Sequence, residues 1–409
     1  MCSGFTSGNN GVLWPGENRL QLKSSNIDEF KKIQDVFMKI CFISEAKTYH
    51  AQQWLKGIAD SGQEVHLISS SYEEIPGVKL HHMELYNVNP VKTLKNVCEA
   101  RKEIRHLRPD IVHLFGLYSA NSLFLLPLTY GIRNLVVTPW GTDVVYDFKG
   151  REPYKSRLIK QTIFRRAARV TALSRFMVGH IRKYEKGNIP VDLVPWGADT
   201  ELFHPMYLRN NLGEFTIGIT KAFTEKYGHV HLLEAFSIFM KESKRKSAKL
   251  VIVGKGELEN RLKSLAIELG IDANVIFEGY VSDKIELRKY MSKFDVYVMP
   301  SVYKSETLGV AAIEASAMGI PVIASDIGGI PEVVENNVTG LLIKPGDSRE
   351  IADALHSLMR NDEMRLNMGL AARRRAEAIF SFENSLKKMN LCYLKVAGKN
   401  EFQKNRLIR

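Results

Sequence analysis

Short apolar runs in which β-branched and aromatic residues are prominent alternate along the chain with longer helical patterns, and this alternation limits the fold more than any other feature. MKICFIS (Met38–Ser44), EVHLIS (Glu64–Ser69), DIVHLFG (Asp110–Gly116), LVVTPWG (Leu135–Gly141), VTALS (Val170–Ser174) and VDLVPWG (Val191–Gly197) form a first series. TIGIT (Thr216–Thr220), KLVIVG (Lys249–Gly254), NVIFEG (Asn274–Gly279), VYVMPS (Val296–Ser301), PVIAS (Pro321–Ser325) and GLLIKPG (Gly340–Gly346) form a second. Such runs read as buried strands, and strands separated by helices read as parallel sheets covered on both faces. Two series predict an α/β protein of two doubly wound, Rossmann-like domains facing across a cleft.

The division expected from this pattern is an N-terminal extension over 1–37, a first domain over 38–208, a second over 209–380, and a closing segment over 381–409. That last segment is expected to form a helix returning to the first domain. The stretch His204–Glu214, with Pro205, two asparagines and Gly213, is the natural hinge. Residues 1–37 are polar and rich in Gly, Ser and Asn, and a strand opening on Met38 makes that methionine a candidate natural start. An ordered N-terminal element is the alternative. The opening residues lack a basic region followed by an apolar one, so no secretory leader is expected. No run of about 18 apolar residues occurs, and Leu123–Val137 is interrupted by Arg133, so no spanning helix is expected.

Composition narrows the function. Hydrophobic residues make up 45% and charged residues 25%, which excludes disorder and coiled coil for the whole chain. Lys+Arg 57 against Asp+Glu 45 gives +12 and favours anionic partners. The four cysteines (Cys2, Cys41, Cys98, Cys392) show neither a CxxC nor a zinc spacing, as fits reduced thiols in a cytoplasm.

In open parallel sheets ligands bind beyond the carboxyl ends of the strands, so residues just after strands carry the argument. YKSETLGVAAIEASAMGIPVIASDIGGIPEVV (Tyr303–Val334) is the densest such stretch. Thr307, Leu308, Gly309 and Val310 open a helix directly after VYVMPS. Bare N–H groups there suit an anion, and Gly309 permits close approach of a phosphate. A carboxylate just before that turn (Glu306) can take sugar hydroxyls, and one lower on the helix (Glu314) can take ribose hydroxyls. An N-cap and a solvated glutamate are the plainer readings. VGKGELE (Val253–Glu259) lacks the third glycine of a dinucleotide loop and reads better as a tight turn.

The Glu-x7-Glu stretch and the EASAMGIPVIASDIGGIPEVV after it resemble the signature of the retaining nucleotide-sugar glycosyltransferases of family four, which have the GT-B fold. TIGITKAFTEKYGHVHLLEAF, KLVIVGKGELENRLKSLA, NVIFEGYVSD and FDVYVMPS follow that family's order, VDLVPWGADTELFHP resembles its interdomain segment, and the resemblance runs from about Met38 to about Tyr393. The resemblance implies that Lys221 and Lys226 hold the donor diphosphate. The first of these is usually arginine, and lysine cannot make the bidentate fork. It further implies that Glu306 contacts the donor sugar and Glu314 the ribose, with Gly279, Tyr280 and Val281 against the base. Glu306, Lys226 and Asp143 are the catalytic candidates.

On the acceptor side, TPWGTDVV (Thr138–Val145) is similar to a variant of the family's acceptor loop. Trp140 and Asp143 there are candidates to meet the acceptor hydroxyl, with Asp143 equally suited to capping a helix. His113, at the end of DIVHLFG, is a third candidate or a satisfied core histidine. Glu45, in the first strand-to-helix loop, is a fourth. No Asp-x-Asp occurs in the chain, so no metal and no cofactor are expected.

Between Lys149 and Lys186 twelve Lys/Arg stand against Glu152 and Glu185. Tyr154, Leu158, Ile159, Ile163 and Phe164 are interleaved with them, which predicts an amphipathic face on an anionic bilayer or a solvated basic face. The expected reaction is retaining transfer from a nucleotide diphosphate sugar, UDP-sugar first, to a glycan or lipid-linked acceptor. The setting would be envelope or surface polysaccharide biosynthesis, such as lipopolysaccharide, in the cytoplasm or at the inner membrane face. A catalytically silent scaffold is the alternative, and no nucleic-acid module is found.

Overall fold

The computed structural model describes residues 36–85, 89–117, 122–147, 152–184, 189–206, 213–243 and 247–398. The expectation for the N-terminal extension therefore falls on residues outside the described ones, apart from Val36 and Phe37. The expected hinge is described only at its two ends.

Among the described residues thirteen strands form two wholly parallel sheets. The first contains β1 (Lys39–Ile43), β2 (Glu64–Ser69), β3 (Val78–His82), β4 (Ile111–Phe115), β5 (Leu135–Thr138), β6 (Arg169–Ala172) and β7 (Val191–Leu193). Its order is β3-β2-β1-β4-β5-β6-β7. The second contains β8 (Phe215–Thr220), β9 (Ala248–Val253), β10 (Val275–Glu278), β11 (Val296–Met299), β12 (Val322–Ser325) and β13 (Gly340–Ile343), ordered β10-β9-β8-β11-β12-β13. These are the two doubly wound sheets that the alternation of runs predicts.

The central strands are largely apolar because helices cover both faces. Ile40–Ile43, Ile111, Val112 and Leu114 are 0–1% exposed, as are Val296–Met299. The strand that sequence reading missed is β3. It lies at a sheet edge and carries Lys79, His81 and His82, so no continuous apolar run announces it. Gly77, at φ 79° after Pro76, marks the turn into it.

Both sheets begin their central strand in the same way. Asp110, just before β4, accepts from the Lys39 N–H at 2.9 Å, and Asp295, just before β11, accepts from the Thr216 N–H at 2.9 Å. Strand order reverses between β1 and β4 and again between β8 and β11, which makes these the two ligand crevices of the fold.

Two chain crossings join the halves. The Ala198 N–H donates to the Phe380 carbonyl at 2.9 Å, and the Phe382 N–H donates to the Ala198 carbonyl at 2.8 Å. The helix Phe382–Ala397 then packs on the helix Tyr49–Asp60 and on β4 and β5 of the first sheet. No helix among the described residues is long and apolar enough to cross a membrane.

Candidate active site

The loops after β8 and β11 meet at the second crevice. Gly228 makes this possible, because a β-carbon there would lie 2.0 Å from the Pro300 carbonyl oxygen. Lys221 follows β8 directly, and Lys226 lies in the short turn Glu225–Tyr227. Both ammonium groups reach Glu306: Lys221 Nζ is 3.3 Å from Oε1 and Lys226 Nζ is 3.3 Å from Oε2. Lys226 also donates to the Ser305 carbonyl at 3.1 Å, and the Tyr227 ring lies beside both lysines.

Glu306 is only 7% exposed. Burial alone would raise its pKa, but the Lys221 and Lys226 charges outweigh that and hold it below the ordinary carboxylate value. For Lys221, burial opposes the charge and Glu306 more than offsets it, so its pKa is raised. Two cations therefore converge on one carboxylate beside a helix start.

That helix is Val310–Ala317, entered through Gly309 at φ 89°. Glu306 is in the loop, whereas Glu314 is the fifth helical residue. Thr307 and Leu308 are buried, at 4% and 2% exposed. Glu314 pairs with Lys284 Nζ at 2.7 Å, and that ammonium lies over the rings of Tyr49 and Phe203. Gly279, Tyr280 and Val281 follow the edge strand β10. Tyr280 is exposed, with Lys255 over its ring.

On the first sheet's side the geometry corrects two expectations. Asp143 is 5% exposed, and its carboxylate accepts from three backbone amides: Leu117 at 3.0 Å, Trp140 at 2.9 Å and Gly141 at 2.8 Å. It ties the loop after β4 to the loop after β5 and keeps no oxygen free for an acceptor proton. His113 is fully buried inside the sheet layer. Its ring nitrogens bond the Tyr393 hydroxyl and the Thr138 hydroxyl, each at 2.7 Å. Burial pushes its pKa down to about 3. It belongs to the core and not to the cleft wall.

Trp140 packs on Phe115 and Trp196, and Trp196 in turn lies 5.3 Å from the His50 ring. Glu45 is half-buried, and its Oε2 has no hydrogen-bond partner among the described residues. Sequence reading missed Lys284 and Tyr49. Their pairing across the crevice joins residues 235 apart in sequence and exists only in the folded chain.

The basic segment also takes a different shape. On the helix Tyr154–Arg166, Ile159, Ile163 and Phe164 point into the core, so they form no membrane face. Lys160 is 1% exposed and pairs with Glu152 at 2.7 Å. The exposed side carries Tyr154, Lys155, Arg157, Leu158 and Arg165. Lys149–Arg151 and Glu185–Lys186 lie outside the described residues.

Comparison with known proteins gives this geometry a class. Residues 207–375 match Glycosyl transferases group 1, and residues 39–174 match Glycosyl transferase 4-like. The chain is 31% identical over 289 residues to D-inositol 3-phosphate glycosyltransferase of Corynebacterium jeikeium, covering 64% of this chain and 68% of that one. It is 25% identical over 356 residues to N-acetyl-alpha-D-glucosaminyl L-malate synthase of Bacillus anthracis, covering 83% and 91%. The fold is shared with the Anabaena protein HepE, solved in complex with UDP-glucose, at a TM-score of 0.70 and 18% identity over 88% of this chain and 99% of that one. The chain belongs to the group 1, family-four-like glycosyltransferases, and its two facing sheets are the GT-B fold of such enzymes. It is a transferase of glycosyl groups.

Proposed function

We propose that this enzyme moves a sugar from a nucleotide diphosphate sugar, a UDP-sugar first, to a hydroxyl of a glycan or lipid-linked acceptor, with retention at the anomeric carbon. The observation that carries the reading is the convergence of Lys221 and Lys226 on Glu306 beside the Gly309 helix start. In the reaction the bond between the anomeric carbon and the diphosphate oxygen breaks, and charge grows on the leaving phosphate. Lys221, Lys226 and the amides at Gly309 and Val310 meet that charge, and no metal ion is required by this account. The acceptor oxygen bonds the anomeric carbon on the face the phosphate leaves, and its proton passes to the departing phosphate oxygen. Glu306 then orients the sugar, and Glu314 accepts the ribose hydroxyls after parting from Lys284.

HepE, solved with UDP-glucose, supports uridine as the first base to try. For the acceptor, the exposed face of Tyr154, Lys155, Arg157, Leu158 and Arg165 supports a site on an anionic membrane, here the cytoplasmic face, where a lipid-linked intermediate of polysaccharide assembly would lie. Retention of the chain on vesicles regardless of anionic lipid content would remove that part of the proposal.

The donor reading is tested by thermal shift against UDP, GDP, ADP and NAD. A ligand at 100 times its dissociation constant adds about 2.7 kcal/mol. Selective stabilisation by one nucleoside diphosphate, lost in Glu314→Ala, is the expected result. Equal stabilisation of wild type and Glu314→Ala would overturn the assignment of the ribose site.

A further inference from the structure

The loop that carries Glu306 is gripped from the opposite half of the molecule. Asp147, after β5 in the first half, accepts from the Ser305 N–H at 2.7 Å. The carbonyl of the same serine accepts from Lys226 at 3.1 Å. The residue next to Glu306 is thus held at both of its peptide groups, its N–H by Asp147 across the cleft and its carbonyl by Lys226.

A second carboxylate reaches in the opposite direction. Glu332, in the short helix Ile330–Val333 of the second half, accepts from the Arg175 N–H at 2.8 Å and the Phe176 N–H at 2.8 Å. These amides begin the helix Arg175–Ile181 in the first half. Glu332 is itself fixed by its neighbours: Arg375 donates to the Glu332 carbonyl at 2.9 Å and to the Val333 carbonyl at 3.1 Å.

The two grips share one rigid block. The Gly329 N–H donates to the Glu306 carbonyl at 3.0 Å. A β-carbon at Gly329 would lie 1.8 Å from the Thr307 carbonyl oxygen, and one at Gly328 would lie 2.2 Å from the Glu306 carbonyl oxygen. Backbone packed this closely cannot shift at Glu332 without moving the Glu306 loop.

From this we infer that Asp147 and Glu332 are positioning residues, a reciprocal pair of carboxylate-to-amide clasps. They tie closure of the two halves to the placement of Glu306 between its lysines. Neither touches the donor, and each acts through the loop 304–309. Opening the cleft releases the Ser305 amide, and Lys226 loses the fixed carbonyl that aims it. Closing the cleft restores both. The inference rests on the donor-site reading for its catalytic consequence, while the clasp itself is a matter of structure alone.

The test uses the full chain, with Asp147→Ala, Glu332→Ala and their combination against Asp147→Asn, which keeps one acceptor oxygen for the Ser305 amide. Amide hydrogen exchange should rise in the peptide spanning 303–309 in Asp147→Ala and at 174–178 in Glu332→Ala. Small-angle scattering of the double variant should show a larger radius of gyration. UDP affinity should move little, because both lysines stay on their own half. Turnover of UDP-glucose should fall by about 100-fold, in kcat rather than KM, as for a displaced catalytic group. Asp147→Asn should stay near wild type in every readout. Unchanged exchange at 303–309 in Asp147→Ala would overturn the clasp, and raised exchange with unchanged kcat would overturn its positioning role. A wild type that binds no nucleoside diphosphate would count against the donor reading, and exchange and scattering would still decide the clasp.

Discussion

Gly141 and Thr307 stand on opposite halves of the molecule, so close that a β-carbon on the glycine would lie 2.8 Å from the threonine hydroxyl oxygen. Gly141 also has φ 134°, a conformation that disfavours a side chain. Thr307 is 4% exposed and has little room to retreat. Gly141→Ala should therefore hold the cleft ajar at the loop beside Glu306. Turnover should fall by at least about tenfold while nucleoside diphosphate affinity is kept. Steady-state kinetics together with calorimetric UDP binding check this, and unchanged kcat would show that the contact does not limit closure.

Lys221 and Lys226 differ in what each would lose. Both face Glu306, but only Lys226 also holds the Ser305 carbonyl. A charge-assisted hydrogen bond to phosphate contributes about 1.5–3 kcal/mol, so either alanine variant should weaken UDP binding about 10- to 100-fold. Lys226→Ala should also lower kcat. Equal and small effects of the two variants on titration calorimetry would mean that the diphosphate binds elsewhere.

Lys284 covers a buried carboxylate. Glu314 is 5% exposed and its ion pair is with Lys284 at 2.7 Å. Removing one member of a buried pair leaves an uncompensated charge and costs about 3–5 kcal/mol. Part of this should return when UDP binds, because ribose hydroxyls then satisfy Glu314. Lys284→Ala should thus show a lower melting temperature and a larger UDP-induced shift than wild type. A shift no larger than in wild type would separate Glu314 from the ribose.

Glu152 makes the same argument in the first half of the molecule. It neutralises Lys160, which is 1% exposed, and accepts from the Tyr184 hydroxyl at 2.9 Å. Glu152→Ala should destabilise the fold by about 3–5 kcal/mol in urea titration, with Lys160→Met restoring much of it. A loss under about 1 kcal/mol would mean that water reaches Lys160.

Stability should depend on acid through the buried histidines. Burial pushes His113 down to about 3 and His229 down to about 4, below the unfolded value near 6.5. The unfolded chain then binds protons first, so this contribution is fully present above about pH 6.5 and is lost as pH falls towards 4. Melting temperatures measured from pH 7 to pH 4 should decline, and His113→Gln should decline less steeply. An equal slope in the two proteins would mean that His113 takes up its proton at the same pH in the folded and unfolded chains.

The architecture was legible because it rests on local pattern. Of the thirteen strands among the described residues, twelve were announced by apolar runs, and β3 was not, because an edge strand needs no apolar run. That Lys221, Lys226 and Glu306 lie in loops at the second crevice could be read from their positions after strands, where the strand order reverses. Asp143 and His113 were legible as residues near the cleft but not in their roles. Those depend on three amides from two loops in one case, and on a hydroxyl 280 residues away in the other.

What the amino-acid order determined by itself was the class of fold, the parallel sheets and the charged loops that follow the strands, because each follows from periodicity and turn chemistry along a few neighbouring residues. The tertiary structure alone decided which charges meet. Lys284 finds Glu314, Asp147 finds Ser305 and Glu332 finds the Arg175 amide only after two sheets have packed, since each contact joins segments 30 to 158 residues apart. Hydrogen bonds and ion pairs act over a few ångströms, and no local pattern encodes which distant partner will arrive at that range.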